Sequence, residues 1–269
     1  MLLAILCAVM CSIKAQELYV YTEPASNMPA HSISAKATVK FIKEVQSGRI
    51  QQRYTPEIML GLNKNWMVHG LVSFSNMYSD KLKWESVKTY AKYRFLSNDE
   101  VHRHFRMAAF AESSYSSNGV LYDELTLEGD HSGIQGGFIA TQLLNKLAVS
   151  STVSYLKVFS RKPKFLSDSY PYEAFNYSLS AGYLVLPVNY TSFKQTNLNL
   201  YAELLGQQTL DLKRHFIDIA PAIQLIFNSA SKLNIGYRFQ LNGNMQRMAE
   251  QSWLIGFERT FLNVIKNKR

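Results

Sequence analysis

The sequence predicts an all-β chain closed into a single transmembrane antiparallel up-and-down β-barrel of about twelve strands. Three observations carry this expectation. Apolar and polar residues alternate with period two over segments of about 10 to 14 residues, short turn sequences alternate with longer connections, and aromatic residues gather near the segment ends. Of 269 residues, 47% are hydrophobic and 18% charged, so the chain can bury a core and is not of disordered composition. No run of about 20 apolar residues occurs, which excludes helical spans.

In chain order, residues 2–13 form a short apolar run followed by Lys14 and Ala15. The run is too short to span a bilayer and fits a secretory signal peptide over 1–15, cleaved after Ala15, although no basic residue precedes it. A buried strand or an N-terminal helix is the alternative. Cys7 and Cys11 both lie in this run, and neither follows the small residues that lipidation needs. Without them the chain has no cysteine, which excludes disulfides and cysteine-based zinc sites. Residues 16–32 are then expected as an N-terminal periplasmic segment, 33–262 as the barrel and 263–269 as a C-terminal tail.

Alternation places strands near 33–44, 50–62, 66–78, 83–95, 102–113, 133–143, 147–159, 173–186, 196–207, 214–227, 231–242 and 250–262. Phe175, Tyr177, Leu179, Ala181 and Tyr183, for example, oppose Asn176, Ser178 and Ser180. The inner connections are expected to be short, as in Asn63-Lys64-Asn65, Leu144-Asn145-Lys146 and 228–231. The long connections 114–132 and 160–172 fall on the opposite, outer side, as in an outer-membrane barrel. Connections 96–101 and 187–195 are longer than that pattern asks, with room for one helical turn near 96–104.

A soluble ligand-binding barrel alternates too, with its apolar side inward. Tyr54, Trp66, Tyr78, Trp84, Tyr93, Phe95, Phe159, Tyr183, Phe227, Trp253 and Phe261 break the tie, because at strand ends they form the girdle of a lipid-facing wall. In lipid no sheet edge can stay open, so the strands must close on themselves.

If the apolar face is outward, the inward set includes Lys36, Lys40, Arg53, Glu57, Lys88, Lys92, Arg94, Arg106, Glu112, Glu203, Asp218, Arg238 and Glu258. Lys or Arg on the lipid side at the midplane costs about 2 to 4 kcal/mol, so these groups belong in the lumen. They can pair across it and brace the wall, or line a constricted passage whose excess of basic groups favours anionic solutes. The net charge of +9 comes from dispersed residues with no nucleic-acid-binding module; lipopolysaccharide phosphates and outer-membrane lipids suffice as its partners.

The residues of 197–206, 215–224 and 233–241 resemble the last third of outer-membrane barrels grouped as meta-pathway phenol-degradation proteins or transporters. Gln135 to Leu144 is similar to segments of related Bacteroidota barrel proteins. The likeness covers about half of the chain, mainly 133–261, and consists of strand patterns without a catalytic signature. The stretch Trp253 to Phe261 looks like the terminal strand read by the barrel-assembly machinery, with Gly256, Phe257 and Phe261 as its signal. It departs from the pattern in that eight residues follow Phe261. The resemblance implies a passive channel, transporter or binder for small solutes, hydrophobic or aromatic among them. The alternatives are a structural or surface-interaction barrel with a plugged lumen and an outer-membrane lipid hydrolase.

The hydrolase alternative rests on Tyr115-Ser116-Ser117-Asn118-Gly119, which resembles the His-x-Ser-Asn of outer-membrane phospholipases and lipid A deacylases. Here Tyr115 stands where the base should be, and a phenol with a pKa of about 10 activates a serine poorly. No catalytic residue is therefore assigned. His31, His69, His102, His104, His131 and His215 have no metal-binding spacing, although His102 and His104 share a strand face. Glu124, Glu128 and Asp130 read as a solvated loop or as a divalent-ion or lipopolysaccharide contact. No nucleotide fingerprint follows a strand, and no cofactor is expected.

Overall fold

The computed structural model describes residues 19–101, 103–119, 121–159, 170–189, 192, 194–211 and 213–265. Its strands are β1 (Ser32–Lys43), β2 (Ile50–Gly61), β3 (Trp66–Ser75), β4 (Lys83–Glu100), β5 (Arg103–Ser116), β6 (Gly133–Leu144), β7 (Leu147–Val158), β8 (Glu173–Leu186), β9 (Asn197–Thr209), β10 (His215–Phe227), β11 (Ser231–Gly243) and β12 (Gln251–Phe261). Each pairs antiparallel with its sequence neighbours. The ring closes where β12 returns to β1, with Phe261 opposite Ile33 and Gly256 opposite Thr38. The result is a closed twelve-strand antiparallel barrel without a free edge.

The alternation decides which side faces in. Val153 and Leu179 are 55% and 51% exposed on the outer surface, while their neighbours Ser154 and Ser180 are 5% and 0% exposed. Ile58, Val87, Phe138, Ile223, Ile235 and Ile255 continue the outer apolar belt. Outward aromatic rings lie on one another across strands, Trp66 on Tyr93 at 4.8 Å and Trp84 on Tyr115 at 6.2 Å between centroids. Tyr78 departs from the expected girdle. It lies beyond the end of β3, and its hydroxyl donates to Asp130 at 3.0 Å, inside the barrel.

The connections separate the two ends. One end carries Asn145-Lys146 and 228–230, where Asn145, Asn228 and Ser229 take left-handed backbone angles that Asn tolerates and tight hairpins require. Residues 31 and 262 lie at this same end; we call it the terminal end and the other the loop end. The irregular connection expected at 96–101 is instead strand. β4 runs on to Glu100 and pairs with β5 as far as Arg103, past a bulge between Arg94 and Leu96.

Two segments enter the lumen, and both correct sequence expectations. Residues 19–31, expected as periplasmic, run inside the wall, because buried polar groups there satisfy their backbone. The loop 117–132, expected to be solvated, folds inward, so that Leu125 and Leu127 are buried against Leu156, Val158 and Ala174. The expected signal peptide over 1–15 lies outside the described residues.

Candidate functional site

The candidate site is the lumen between these two segments. Strand parity fixes its wall: in β4, Lys88, Tyr90 and Lys92 point inward at every second position, and in β5 so do Arg106, Phe110 and Glu112.

At the terminal end, residues 19–31 cross the lumen as a strap. Met28 packs with Met59 and Met67 on β2 and β3, and Ala25 packs with Ala108 and Ile139 on β5 and β6. Tyr19 packs with Tyr201, Ala148 and Ala222 on the far wall. Between these apolar contacts the strap is held through its backbone. Glu203, fully buried, accepts the N–H groups of Val20, Tyr21 and Thr22 at 2.8, 2.9 and 2.9 Å and the Thr22 hydroxyl at 2.7 Å. Lys92, fully buried, donates to the carbonyls of Pro24 and Ser26 at 2.7 and 3.0 Å and meets Glu23 at 3.2 Å. Arg106 donates to the Ser26 hydroxyl at 3.0 Å. The Tyr21 ring lies over Gly236, where a Cβ would come within 2.6 Å of it, so the wall is bare of a side chain under that ring.

At the loop end, 117–132 is held by charge. Arg247, from the connection between β11 and β12, donates to Glu124 at 2.8 Å and to both Asp218 oxygens at 2.8 and 2.9 Å, and its guanidinium lies 3.9 Å over the Phe216 ring. Arg238 donates to Asp218 at 2.5 Å and to Glu124 at 3.3 Å. Arg53 pairs with Glu85 at 2.8 Å and with Asp130, Lys40 with Glu128, and Arg214 with Asp123. Gly129, at φ +100°, lets the loop lie on the Arg53–Glu85 pair, where a Cβ would come within 2.6 Å of the guanidinium. Burial alone would raise the Glu124 and Glu128 carboxyls. Arg247 and Arg238 around Glu124, and Lys40 and Lys88 around Glu128, outweigh it and hold each at about 2. His131, on the same loop, is pushed below the ordinary imidazole range by burial, against the pull of Asp130.

Between strap and loop lies a chamber of about 340 Å³. One side is aromatic, with Tyr90 stacked on Phe110 at 5.5 Å and His69 on Tyr90 at 4.7 Å. Beside Val20, Leu71, Ile139 and Leu254 the rest is polar and charged: Lys36 pairs with Glu57 at 3.6 Å and Lys88 with Glu112 at 3.1 Å, alongside Lys40 and Glu128.

No family model and no curated protein matches the sequence. Solved structures do match. An outer-membrane channel from Pseudomonas putida F1 superposes with a TM-score of 0.62 at 12% identity, over 90% of this chain and all of the other. The NanC porin gives 0.53 at 11% identity, over 84% of this chain and 98% of the porin. The beta domain of the Bordetella autotransporter Brka gives 0.50 at 10% identity, over 86% and 99%. The shared property is the fold: this chain is built like outer-membrane barrels.

The thirteen charged residues picked from the sequence as lumen-facing can now be placed. Lys36, Lys40, Glu57, Lys88 and Glu112 line the chamber. Lys92, Arg106 and Glu203 hold the strap, and Arg53, Asp218 and Arg238 hold the loop. Glu258 pairs with Lys232 at 3.4 Å and accepts the Ser34 hydroxyl at 2.6 Å. Arg94 is half-buried at the terminal end of β4 and makes no ion pair among the described residues. The expected basic surplus of the lumen is met by Glu23 of the strap and by Asp123, Glu124, Glu128 and Asp130 of the loop. Glu124, Glu128 and Asp130 read from the sequence as a solvated loop; basic groups of the barrel draw them inward instead. Gly256, Phe257 and Phe261 lie in the closing strand, with both rings on the outer surface.

Ser117 donates its hydroxyl to the Glu85 carbonyl at 3.1 Å, while His131 Nδ1 lies 3.1 Å from the Thr126 carbonyl, so these two do not form a nucleophile–base pair. Among the described residues no three His, Cys, Asp or Glu side chains gather as a metal site. His102 lies outside the described residues. Sequence reasoning missed Tyr90 and Phe110, although both keep the inward parity of Lys88, Lys92 and Glu112. It also missed Arg247 and the strap itself, whose sequence carries no periodic signal.

Proposed function

We propose that this chain is an outer-membrane channel for small solutes, exported through the signal at 1–15 and inserted by the barrel-assembly machinery, with its short turns in the periplasm and its long loops facing lipopolysaccharide. The observation that carries this reading is the chamber of about 340 Å³ held between two non-covalent closures in an unbroken wall. A barrel that served only as a membrane-embedded brace would have no need of an internal space lined partly by aromatic rings and partly by charged pairs. The structure has the form of a closed state, in which the strap blocks from the periplasmic side and the loop from outside. An aromatic face beside polar groups suits small amphiphilic solutes, including aromatic ones.

The test loosens both closures at once. Glu203→Ala loosens the strap and Arg247→Met loosens the loop, and neither residue faces lipid. In planar bilayers the double variant is expected to give discrete ion steps well above the wild type, because the two closures obstruct one path in series. A double variant that migrates as an intact, heat-modifiable barrel and gives no steps sinks the channel reading in favour of a plugged structural barrel.

A further inference from the structure

The lysines of the chamber are not partnered alike. Lys36 and Lys88 meet Glu57 and Glu112, which belong to the neighbouring strands of the wall. The carboxylate against Lys40 comes instead from the loop, as Glu128. Glu128 also lies within electrostatic reach of Lys88, two residues along β4 from the ring of Tyr90. A loop carboxylate therefore sits between two wall lysines at the edge of an aromatic stack. On the same chamber, Tyr21 Oη, Tyr90 Oη and His69 Nε2 are buried polar atoms without a hydrogen-bond partner among the described residues. These three atoms have almost no accessible surface, so what the chamber offers a ligand is its rings and its charged pairs.

From this geometry we infer that the chamber is a binding site for small aromatic carboxylates, and that Glu128 occupies the position of the ligand's own carboxylate while the loop is docked. The ligand ring lies on the Tyr90–Phe110 face, near Leu71 and Ile139, and its carboxylate takes over Lys40 and the electrostatic reach of Lys88. Ligand and loop then compete for the same cations, so filling the site and undocking the outer closure are one event. The inference rests on the channel reading and names its solute class. A neutral aromatic gains the ring contacts alone, and a carboxylate without a ring gains only the lysines.

The probe is benzoate, with benzamide as its uncharged counterpart and acetate as the ring-free one, titrated calorimetrically into the full barrel in detergent micelles. Glu128→Gln removes the internal competitor and is expected to tighten benzoate by about tenfold, because Lys40 then has no carboxylate to give up before it receives the ligand's. Lys40→Gln is expected to weaken benzoate by about tenfold or more, the loss of a charge-assisted contact. Phe110→Ala, which leaves every ion pair in place, is expected to weaken benzoate as well. Benzamide is expected to respond to Phe110→Ala and not to the two charge variants, and acetate to bind far more weakly than benzoate. The inference is overturned if Glu128→Gln leaves benzoate affinity unchanged, if benzamide follows benzoate across the charge variants, or if no form of the barrel binds benzoate. Conductance separates this from the channel reading. Ion steps in the loosened barrel without benzoate binding remove the inference alone, whereas binding without steps removes the channel.

Discussion

Residues 19–31 offer backbone N–H and C=O groups to one buried anion and one buried cation, Glu203 and Lys92, whereas residues 117–132 offer side-chain carboxylates to Lys40, Arg53, Arg214, Arg238 and Arg247. The polar grip on the strap thus falls mainly on what every peptide has, and that on the loop on what four particular residues carry. This difference sets how each can be released. A backbone grip answers to loss of the wall groups and is indifferent to most strap substitutions. A charge grip answers to substitution on either side, and to pH.

The sharpest break of the comparison is at Glu203. Replacing it with Ala leaves three N–H groups of the strap without their acceptor in a buried place, a loss of at least about 3 kcal/mol. No cysteine follows Cys11 in the sequence, so with Cys7 and Cys11 replaced by Ser a cysteine at Ser26 reports on the strap alone. With Glu203→Ala, maleimide labelling at that cysteine is expected to rise by about a hundredfold, while a cysteine at Thr126 in the loop labels as before. Equal acceleration at both positions means that the closures are one cooperative unit, which contradicts the separation drawn above. Tyr21→Phe in the strap, by contrast, is expected to leave both rates within about twofold, because Glu203 receives its N–H and not its side chain.

A smaller effect in the opposite direction comes from Arg247→Met. Glu124 and Asp218 lose a guanidinium that bridges them, but Arg238 still touches both, so the loss is cushioned. Removing one member of a buried charge cluster costs about 3 kcal/mol or more where nothing replaces it, and we expect roughly half of that here. Labelling at Thr126 is expected to rise by about tenfold, with the cysteine at Ser26 unchanged. A larger response at Ser26 than at Thr126 reverses the assignment of Arg247 to the loop.

The barrel was legible in the sequence and its closures were not, for one physical reason. Strand identity is a local property: the alternation around Phe175 to Tyr183 is complete within a few residues, and it marks inside and outside together. The closures depend on contacts between residues far apart. Val20 meets Glu203 across 183 positions, and Glu124 meets Arg247 across 123. Nothing near Glu124, Glu128 or Asp130 distinguishes a loop drawn into a lumen from one in water, because the cations that draw it in belong to other strands. Lys40, Arg53 and Arg238 were marked as inward by parity, yet their partners were sought on the wall. Tyr90 and Phe110 were readable by that same parity, but only charged residues marked the inward face.

The mildest perturbation, acidification, sharpens the comparison without altering a residue. Glu124 and Glu128 have carboxyls at about 2 in the docked loop against an ordinary value of 4.5. Their lowered values make docking favourable in full above about 4.5, and that contribution is lost as pH falls from there toward 2. His131 acts in the same sense from higher pH. Burial lowers its value in the docked loop, so protonation near and below 6.5 favours the undocked form. The N–H groups and carbonyls of the strap do not titrate, and the carboxylate that accepts its N–H groups, Glu203, is absent from the variant that reads this out. Acidifying only the loop side of a planar bilayer is therefore expected to raise the conductance of a strap-loosened barrel, Glu203→Ala, by a few fold. The rise begins gently below about pH 6.5 and steepens between about 4.5 and 2. Glu124→Gln and Glu128→Gln together are expected to remove the steep part, and His131→Asn the gentle part. A conductance that falls on acidification, or one that rises equally with all three replaced, assigns the pH response to the wall and not to the loop, and the two closures would then no longer differ in the way their contacts imply.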